Sequence, residues 1–398
     1  SSDLFSDDSR HFLACLVALG FTVEIEEEKK CVTVTGCGGR IPRGEAVIDV
    51  GSAGTAARFL AAMLGFSDGC YEIRCSAQMK RRPMAELFDL LSGVGAKITF
   101  LEEEGHLPVR ITGCRYARAD KTAGETPREL SLDITKSTQF LSALLLIAPM
   151  VPEGMKIHIT SEKTDGSYIR ITRKMMQEFG VSVAFDGRDY EVPCRSSYRK
   201  ETYMVEPDMS AACYFYAAAA VTGGRALVRH VHMDNIQGDL RFLEVLEHMG
   251  CTADDTPEGV LVTGPADGAL RGITVNMNDF SDQALTLAAI APFADAPVRI
   301  EGIGHIRGQE CDRIHAIQTN LTALGIRCEE EETAATIYPG SPHGGSVETY
   351  DDHRVAMAFS LVGLRTDGIV IENPACCRKT FEDYFTVLSE LTGKKTEA

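Results

Sequence analysis

A helix with one apolar face, ended by a glycine and followed by alternating polar and apolar residues, recurs along the chain. The alternating stretches predict short strands, and the glycine suits the left-handed position that ends many helices. The closing glycine is Gly20, Gly95, Gly180, Gly250 or Gly325 in five copies, and a sixth helix without a following hairpin ends at Gly393. The copies are about 70 to 85 residues apart, longer than the unit of a solenoid, so each predicts a small α/β subdomain.

A second kind of helix, apolar nearly all round, precedes most of these units. The segments are residues 54–66, 137–149, 210–224, 282–294 and 353–364. A helix with no polar face is typical of a buried helix. Each begins at or just after polar or charged residues, which indicates either ordinary N-capping or a set of helix N-termini that bind an anion. Capping does not account for Arg354 at a positive helix end, and we interpret this residue as the partner of an external anion.

The first unit, around Gly20, has no apolar helix before its amphipathic one. Either this unit is naturally incomplete, or about 30 residues are absent from this sequence, judged by the length of the other units. We favour the second interpretation.

Length and composition are those of an ordinary globular protein. The 398 residues suggest two domains, and 44% hydrophobic with 24% charged residues excludes disordered and fibrous classes. The most apolar stretch, Phe140 to Val151, is shorter than the roughly 20 residues that span a bilayer, and we see no signal peptide. The formal net charge is -17, whereas proteins that bind nucleic acid usually have an excess of positive charge, so the composition argues against nucleic-acid binding. Thirteen cysteines without metal-ligand spacing predict buried thiols in a reducing compartment, the cytoplasm, and no structural metal.

Several short segments carry the candidate chemistry. Residues 51–60, GSAGTAARFL, have the form of a cradle for phosphate or carboxylate, and a simple tight turn is the alternative. Arg81 and Arg82, the segments 309–314 and 350–357, and Lys379 supply cations, and the alternative for each is a solvated residue or a structural ion pair. The Asp-Asp-His-Arg run within 350–357 favours a functional cleft, because burying four ionisable side chains is costly.

Eight segments, taken in order, resemble the 5-enolpyruvylshikimate-3-phosphate synthase family. They are GSAGTAARFL, RRPMAELFDLL, KSTQFLSALLLIAP, VEPDMSAACYF, NDFSDQALTLAAIAPFA, GHIRGQECDRI, TYDDHRVAMAFSLVGL and CRKTFEDYF. The resemblance extends from Ser6 to about Leu391. It implies an α/β fold, a two-domain inside-out α/β barrel built from six repeats. An N-terminal domain would span residues 1–205, with its first repeat incomplete, and a C-terminal domain residues 206–398, the two closing on ligands at their facing helix ends.

The resemblance also implies a reaction, transfer of the enolpyruvyl group of phosphoenolpyruvate to the 5-hydroxyl of shikimate 3-phosphate by addition and elimination. Asp282 would act as the base at the 5-hydroxyl, and Glu310 would handle the methylene proton. The implied phosphoenolpyruvate ligands are Gly54, Arg82, Gln139, Arg313, Arg354 and Lys379. The implied shikimate 3-phosphate ligands are Ser137, Thr138, Gln139, Asp165, Tyr168, Asp282, His305 and Gln309. No metal or organic cofactor is implied, and we expect a monomer.

The chain departs from the family pattern at several positions. The family's N-terminal Lys-Ser-x-x-x-Arg segment is not found in this sequence. Gln309 stands where lysine is usual and His305 where asparagine is common, which removes one cation beside Glu310. Asp165 stands where serine is frequent, and Ser167 is an alternative ligand.

Two other functions are compatible with these residues. The sister enolpyruvyl transferase that acts on UDP-N-acetylglucosamine usually has a cysteine five residues before the arginine of an Arg-Pro pair. That position is Ala77 here, and Cys75 lies two residues too far back. A non-catalytic anion-binding relative is the second alternative, because a fold does not guarantee a function. Retention of Asp282 and Glu310 argues against it.

Overall fold

The computed structural model describes residues 5–114 and 126–394. The chain divides into two compact units, residues 7–204 and residues 205–398 with the first six residues. Each unit contains its own cluster of buried apolar side chains. Within the described residues no helix is long and apolar enough to cross a membrane.

The first unit contains two four-stranded sheets and a two-stranded one among its described residues. Its helices are α1 (Asp7–Ala18), α2 (Gly54–Gly65), α3 (Ala77–Lys80), α4 (Ala85–Gly93), α5 (Gln139–Ile147) and α6 (Ser167–Glu178). Its strands are β1 (Thr22–Glu26), β2 (Cys31–Thr35), β3 (Glu45–Asp49), β4 (Cys70–Arg74), β5 (Lys97–Phe100), β6 (Val109–Thr112), β7 (Arg128–Leu132), β8 (Met155–Ile159), β9 (Ala184–Phe185) and β10 (Asp189–Val192). The sheet orders are β1-β2, β3-β4-β6-β5 and β7-β8-β10-β9.

The second unit contains a three-stranded, a four-stranded and a two-stranded sheet among its described residues. Its helices are α7 (Met209–Thr222), α8 (Phe242–His248), α9 (Ala284–Ile290), α10 (Arg313–Ala323), α11 (His353–Ser360) and α12 (Tyr384–Thr392). Its strands are β11 (Arg225–Arg229), β12 (Thr252–Thr256), β13 (Gly259–Thr263), β14 (Thr274–Asn276), β15 (Val298–Glu301), β16 (Cys328–Glu330), β17 (Ala335–Ile337), β18 (Gly345–Val347) and β19 (Ile369–Ile371). The sheet orders are β11-β13-β12, β14-β15-β17-β16 and β18-β19.

Four of the five apolar helices connect parallel strands, and α7 is the exception. Helix α2 lies between β3 and β4, α5 between β7 and β8, α9 between β14 and β15, and α11 between β18 and β19, and each of these strand pairs is parallel. A parallel pair needs a crossover, and the crossover helix packs against its sheet. This explains why the predicted apolar helices are buried: α9, for example, has every one of its residues buried.

The predicted helices and their closing glycines are confirmed. All six glycines adopt a positive φ, between 68° at Gly393 and 105° at Gly250. Two apolar helices end earlier than their sequence pattern, because a proline follows: α5 stops at Ile147 and α9 at Ile290, and each continues as a single 3-10 turn that contains the proline.

The prediction that the cysteines are buried is wrong for most of them. All thirteen are free thiols, but only Cys15, Cys213, Cys251 and Cys377 are buried, and Cys31 and Cys37 are exposed. The strand β2 that begins at Cys31 has only one of its five residues partly buried, which explains that exposure.

Candidate active site

The first unit brings the N-termini of two buried helices together. Gly54 opens α2 and Gln139 opens α5. The Nη1 atom of Arg58 donates to the Gly54 carbonyl at 3.2 Å and to the Gln139 side-chain oxygen at 2.9 Å. The Gln139 amide nitrogen donates in turn to the Thr55 hydroxyl at 3.1 Å. The first turns of the two helices are therefore held together by side chains rather than by backbone bonds.

Arg82, which follows α3 in the chain, lies near the first turn of α2. A Cβ atom on Gly54 would clash with Nη1 of Arg82 and would lie 2.7 Å from Nη1 of Arg58. Both guanidinium groups therefore lie close to the first turn of α2, and a side chain at position 54 would require them to move. Two guanidinium groups beside free helical N–H groups are the arrangement expected of an anion site.

The predicted phosphate cradle lies at the start of α5. The Ser137 hydroxyl accepts from the backbone N–H of Gln139 at 3.3 Å. Thr138 occupies the N-cap position, and its side chain makes no capping hydrogen bond. A Cβ atom on Gly166, which precedes α6, would lie 3.5 Å from the Thr138 methyl group, so the first turn of α6 adjoins this cradle.

The residues predicted around the start of α6 differ in what they contact. Asp165 accepts from Nη1 of Arg170 at 2.9 Å and from the Tyr190 hydroxyl at 3.1 Å. Ser167 is buried, whereas Tyr168 is 48% exposed. The exposed ring of Tyr168 can therefore stack on a ligand, whereas both oxygens of Asp165 already have partners in the protein.

The second unit contains a group of six charged side chains, which we call the charge cluster. Its carboxylates are Asp282, Glu310 and Asp352, and its cations are Arg313, Arg354 and Lys379. Their side chains are at most 16% exposed, and Asp352 and Arg313 are almost completely buried. Charges at this depth are stable only when they are paired and hydrogen-bonded.

Arg313 lies at the centre of the charge cluster. It is the first residue of α10, and its side chain donates to Asp282 at 3.0 Å, to Glu310 at 2.8 Å and to Asp352 at 2.8 Å. Asp352 is the N-cap of α11 and accepts the backbone N–H of Arg354 at 2.9 Å. The cap and the ion pair therefore use the same buried carboxylate.

The other two cations engage the two carboxylates predicted to be catalytic. Arg354 lies 3.1 Å from Asp282, and Nζ of Lys379 lies 2.6 Å from Glu310. Three carboxylates and three cations make the charge cluster neutral. Arg354 thus pairs with an internal carboxylate here, and its role as the partner of an external anion stays a prediction.

Burial and pairing act in opposite directions on the groups of the charge cluster. Burial raises the pKa of Asp352, but the charge of Arg313 outweighs it, and the pKa lies below its ordinary value of 3.8. Burial lowers the pKa of His353 to about 3 despite the neighbouring carboxylate of Asp352. His353 is therefore neutral at physiological pH and leaves the charge balance unchanged.

Two further predicted residues lie beside the charge cluster along the chain. His305 belongs to a 3-10 helix, Gly304–Gly308, and its Nε2 atom is 2.8 Å from the hydroxyl of Ser281, the neighbour of Asp282. Gln309 follows that helix, and its backbone N–H donates to the Ile306 carbonyl at 3.4 Å. The 3-10 helix thus connects the hydroxyl beside Asp282 to the segment that carries Glu310.

The sequence analysis did not identify Arg58 as a functional candidate. It also did not predict the structural role of Asp352. Arg58 lies four residues after Gly54, a spacing that places both on one helix face and could have identified it. The pairing of Asp352 with Arg313 joins residues 39 positions apart, and no local pattern indicates it. Among the described residues there is no group of three or more His, Cys, Asp or Glu that could hold a metal ion.

Comparison with known protein families gives one match over nearly the whole chain. The model of the family described as EPSP synthase (3-phosphoshikimate 1-carboxyvinyltransferase) matches residues 3–388. The chain is 40% identical to the 3-phosphoshikimate 1-carboxyvinyltransferase of Trichormus variabilis, over 98% of this chain and 89% of that protein. It is also 40% identical to the protein of the same name from Nostoc punctiforme, over 96% of this chain and 88% of that protein.

The fold is that of solved EPSP synthases. The structure of the EPSP synthase from Acinetobacter baumannii aligns with a TM-score of 0.76 at 24% identity, covering 97% of this chain and 88% of that chain. The expected fold class, the two-domain α/β fold of enolpyruvyl transferases, is thereby confirmed.

Proposed function

The chain belongs to the EPSP synthase (3-phosphoshikimate 1-carboxyvinyltransferase) family, and we propose that it transfers the enolpyruvyl group of phosphoenolpyruvate to the 5-hydroxyl of shikimate 3-phosphate. The observation that carries the proposal is the pair of carboxylates Asp282 and Glu310, which share the buried Arg313. An addition followed by an elimination needs two groups that exchange protons at different atoms, and two carboxylates in different surroundings meet that need.

The substrate-binding residues of the family are assigned to this chain residue by residue. Phosphoenolpyruvate would bind Gly54, Arg82, Gln139, Arg313, Arg354 and Lys379. Shikimate 3-phosphate would bind Ser137, Thr138, Gln139, Asp165, Tyr168, Asp282, His305 and Gln309. Arg58 joins the first set as a positioning residue, because it donates to the Gln139 side chain.

In the addition step, Asp282 accepts the proton of the 5-hydroxyl while the hydroxyl oxygen attacks C2 of phosphoenolpyruvate. A proton is delivered to the methylene carbon C3 by Glu310, which gives a tetrahedral intermediate. Arg313, Arg354 and Lys379 bind the phosphate and carboxylate of the substrate, whose mutual repulsion they offset. As those cations turn to the substrate, Glu310 loses part of its own pairing, which favours the protonated form that a donor needs.

In the elimination step, the bond from C2 to the phosphate oxygen breaks and the methyl carbon returns its proton to Glu310. The double bond reforms, and the proton that Asp282 took from the 5-hydroxyl passes to the departing oxygen, so that inorganic phosphate leaves. Each carboxylate thus ends in the state from which the next cycle can begin.

The remaining features are proposals of the same kind. Each unit would be a domain of three repeats, with residues 1–205 and 206–398 as their bounds. The protein would act as a monomer in the cytoplasm, where the free thiols of all thirteen cysteines are expected to persist.

Phosphate release tests the function directly. We expect release from phosphoenolpyruvate to depend on added shikimate 3-phosphate and to be absent with UDP-N-acetylglucosamine. A coupled phosphate assay with each acceptor, and with none, makes the measurement. Release with UDP-N-acetylglucosamine alone would assign the sister reaction, and no release with either acceptor would support a non-catalytic anion-binding protein.

Replacing Gly54 by alanine tests the anion site of the first unit. The new Cβ would clash with the guanidinium groups of Arg82 and Arg58 and displace both. We expect KM for phosphoenolpyruvate to rise on the order of 10-fold to 100-fold, the value of a hydrogen bond to a charged group. The Tm should fall as well, because the buried side chain of Arg58 also joins α2 to α5.

Gly93→Ala is the matched control for Gly54→Ala. A Cβ at Gly93, the last residue of α4, meets nothing within 4 Å. Steady-state kinetics should therefore give wild-type constants for this variant. If KM for phosphoenolpyruvate is unchanged in Gly54→Ala, the guanidinium groups of Arg58 and Arg82 do not contribute to binding this substrate.

A further inference from the structure

Three residues with an unfavourable left-handed backbone lie close together in the second unit. They are Tyr350 with φ 53°, Asp351 with φ 57° and Asn373 with φ 48°. Six non-glycine residues of the described ranges have a positive φ, so half of them are found in this one place. Such residues are strained, the bulky tyrosine most of all, and strain of this kind is concentrated at functional sites.

The place is the end of the parallel strands β18 and β19. Asp351 follows β18 in the chain and Asn373 follows β19. Where the strands end, the backbone N–H of Glu372 donates to the Val347 carbonyl at 3.0 Å. Beyond that bond, Nδ2 of Asn373 donates to Oδ1 of Asp351 at 3.0 Å. A side-chain hydrogen bond therefore extends the pairing of the two chains past the carboxyl ends of their strands.

Beyond this hydrogen bond, both chains reach cations of the charge cluster. The first chain enters α11, with Arg354 in its first turn. The second forms the 3-10 helix Pro374–Lys379, which ends at Lys379. The Cys377 thiol of this 3-10 helix donates to the His353 carbonyl of α11 at 3.9 Å, but a thiol is a weak donor. The bond between the asparagine and the aspartate is therefore the stronger of these two links.

The side chains explain why glycine does not occupy these left-handed positions. Glycine would adopt the same backbone without strain. It would lose the ring of Tyr350, which packs against the apolar core of the second unit, and the hydrogen bond between Asn373 and Asp351. Asparagine and aspartate tolerate a left-handed backbone better than most residues, and a carboxylate acceptor strengthens the bond. The strain is therefore offset by contacts that only side chains can make.

We propose that Asn373 and Asp351 form a clamp that sets the spacing between Arg354 and Lys379, which makes Asn373 a positioning residue for phosphoenolpyruvate. This inference rests on the proposed function, in which both cations bind the same small substrate. Two cations that are carried by separate chains can bind one substrate together only if the chains keep a fixed spacing, and a displacement of about 1 Å at such a site is costly.

Asn373→Asp tests the clamp by placing a second carboxylate against Asp351, so that repulsion replaces the hydrogen bond. We expect KM for phosphoenolpyruvate to rise roughly 3-fold to 10-fold, the value of one hydrogen bond, with kcat within about twofold of the wild type. Adding Asp351→Asn exchanges the roles of donor and acceptor. The double variant should therefore return KM to within about twofold of the wild-type value. Steady-state phosphate release at saturating shikimate 3-phosphate makes the measurement.

Two glycine variants separate the clamp from the backbone strain. Asn373→Gly keeps the left-handed backbone and removes the side chain, so we expect KM to rise about 3-fold while the Tm is nearly unchanged. His230→Gly is the matched control, because His230 is exposed and also left-handed, with φ 64°, and follows β11 outside the segments that carry the charge cluster. This variant should give the wild-type kinetic constants.

A measurement on the ligand-free protein tests the clamp without turnover. The 15N chemical shift of the Lys379 ammonium group depends on the carboxylate of Glu310, which lies 2.6 Å away. We expect the signal to move in Asn373→Asp and to return to the wild-type position in the double variant.

Three results would overturn the inference. They are a double variant that recovers neither KM nor the NMR signal, a wild-type KM in Asn373→Gly, and an equal rise of KM in His230→Gly. If Asn373→Asp does not fold, Asn373→Gly decides between the two outcomes. The NMR comparison keeps this test separate from that of the proposed function, because a wild-type protein without acceptor-dependent phosphate release would contradict only the function.

Discussion

Replacing Arg313 by methionine is expected to destabilise the protein by about 3–5 kcal/mol, the cost of removing one partner from a buried ion pair, and to abolish enolpyruvyl transfer. The side chain is 1% exposed and donates to three carboxylates at 2.8 to 3.0 Å. Methionine fills a similar volume but leaves Asp352 fully buried without its main cation. The loss should appear in urea denaturation at neutral pH as a lower midpoint with a similar slope.

The stability loss of Arg313→Met should shrink as the pH falls. In the wild type the folded-state pKa of Asp352 is depressed, so its pairing stabilises the fold above the ordinary value of 3.8 and is lost as pH falls through the folded pKa. Without Arg313 the buried carboxylates favour the protonated state in the folded form, and acid then favours folding. We therefore expect the gap between wild type and variant to be smaller at pH 5 than at pH 7.

Arg299→Met is the matched control for Arg313→Met. Arg299 also contacts two carboxylates, Glu301 and Glu331, but its side chain is 33% exposed. Pairs in solvent contribute little, so we expect a loss below about 1 kcal/mol. Equal losses for the two variants would contradict the view that burial makes Arg313 indispensable.

Helices, their closing glycines and the family could be predicted from the sequence because each depends on nearby residues. The apolar segments that become α2 and α7 are continuous in the chain, and a glycine such as Gly250 marks a helix end wherever the backbone must turn left-handed. Burial of the apolar helices follows from the absence of a polar face and needs no knowledge of the partners.

The charge balance of the candidate site could not be predicted, because it depends on pairs distant in sequence. Arg58 and Gln139 are 81 residues apart, and Lys379 and Glu310 are 69 apart. A local pattern shows that Arg354 begins a helix, but not that Asp282 lies 3.1 Å away. The sequence analysis therefore names the cations and both Asp282 and Glu310, but it does not predict that these charges pair with one another.

Neutrality of the charge cluster has a consequence for binding. Arg313, Arg354 and Lys379 already have carboxylate partners, so a substrate that binds them as proposed would compete with Asp282 and Glu310 for the same cations. This competition lowers the affinity of the protein for the substrate. It also means that Asp282 and Glu310 lose part of their pairing with the cations only when the substrate has bound. Charge–charge interactions that strengthen in the transition state are the ones that raise kcat rather than affinity alone.

Replacing Glu310 by glutamine is expected to lower kcat by roughly 100-fold to 10,000-fold, the usual contribution of a general acid or base. Glutamine has nearly the same shape and its oxygen can still accept from Lys379 or Arg313, which now lie 2.6 Å and 2.8 Å from the carboxylate. It cannot carry a proton to or from the methylene carbon. The expected signature is a large loss in kcat with KM for phosphoenolpyruvate unchanged or lower, because the internal partner of Lys379 no longer carries a charge.

Glu301→Gln separates loss of an ion pair from loss of proton transfer. Glu301 accepts from Arg299 at 2.8 Å in the same unit but outside the charge cluster, and its replacement should leave kcat at the wild-type value. Deuterium exchange into the methylene carbon of the enolpyruvyl product, followed by mass spectrometry, measures proton transfer at that carbon. If Glu310→Gln lowered phosphate release while exchange per turnover stayed at the wild-type level, another group would deliver the proton, and Glu310 would serve only to hold Lys379 and Arg313 in place.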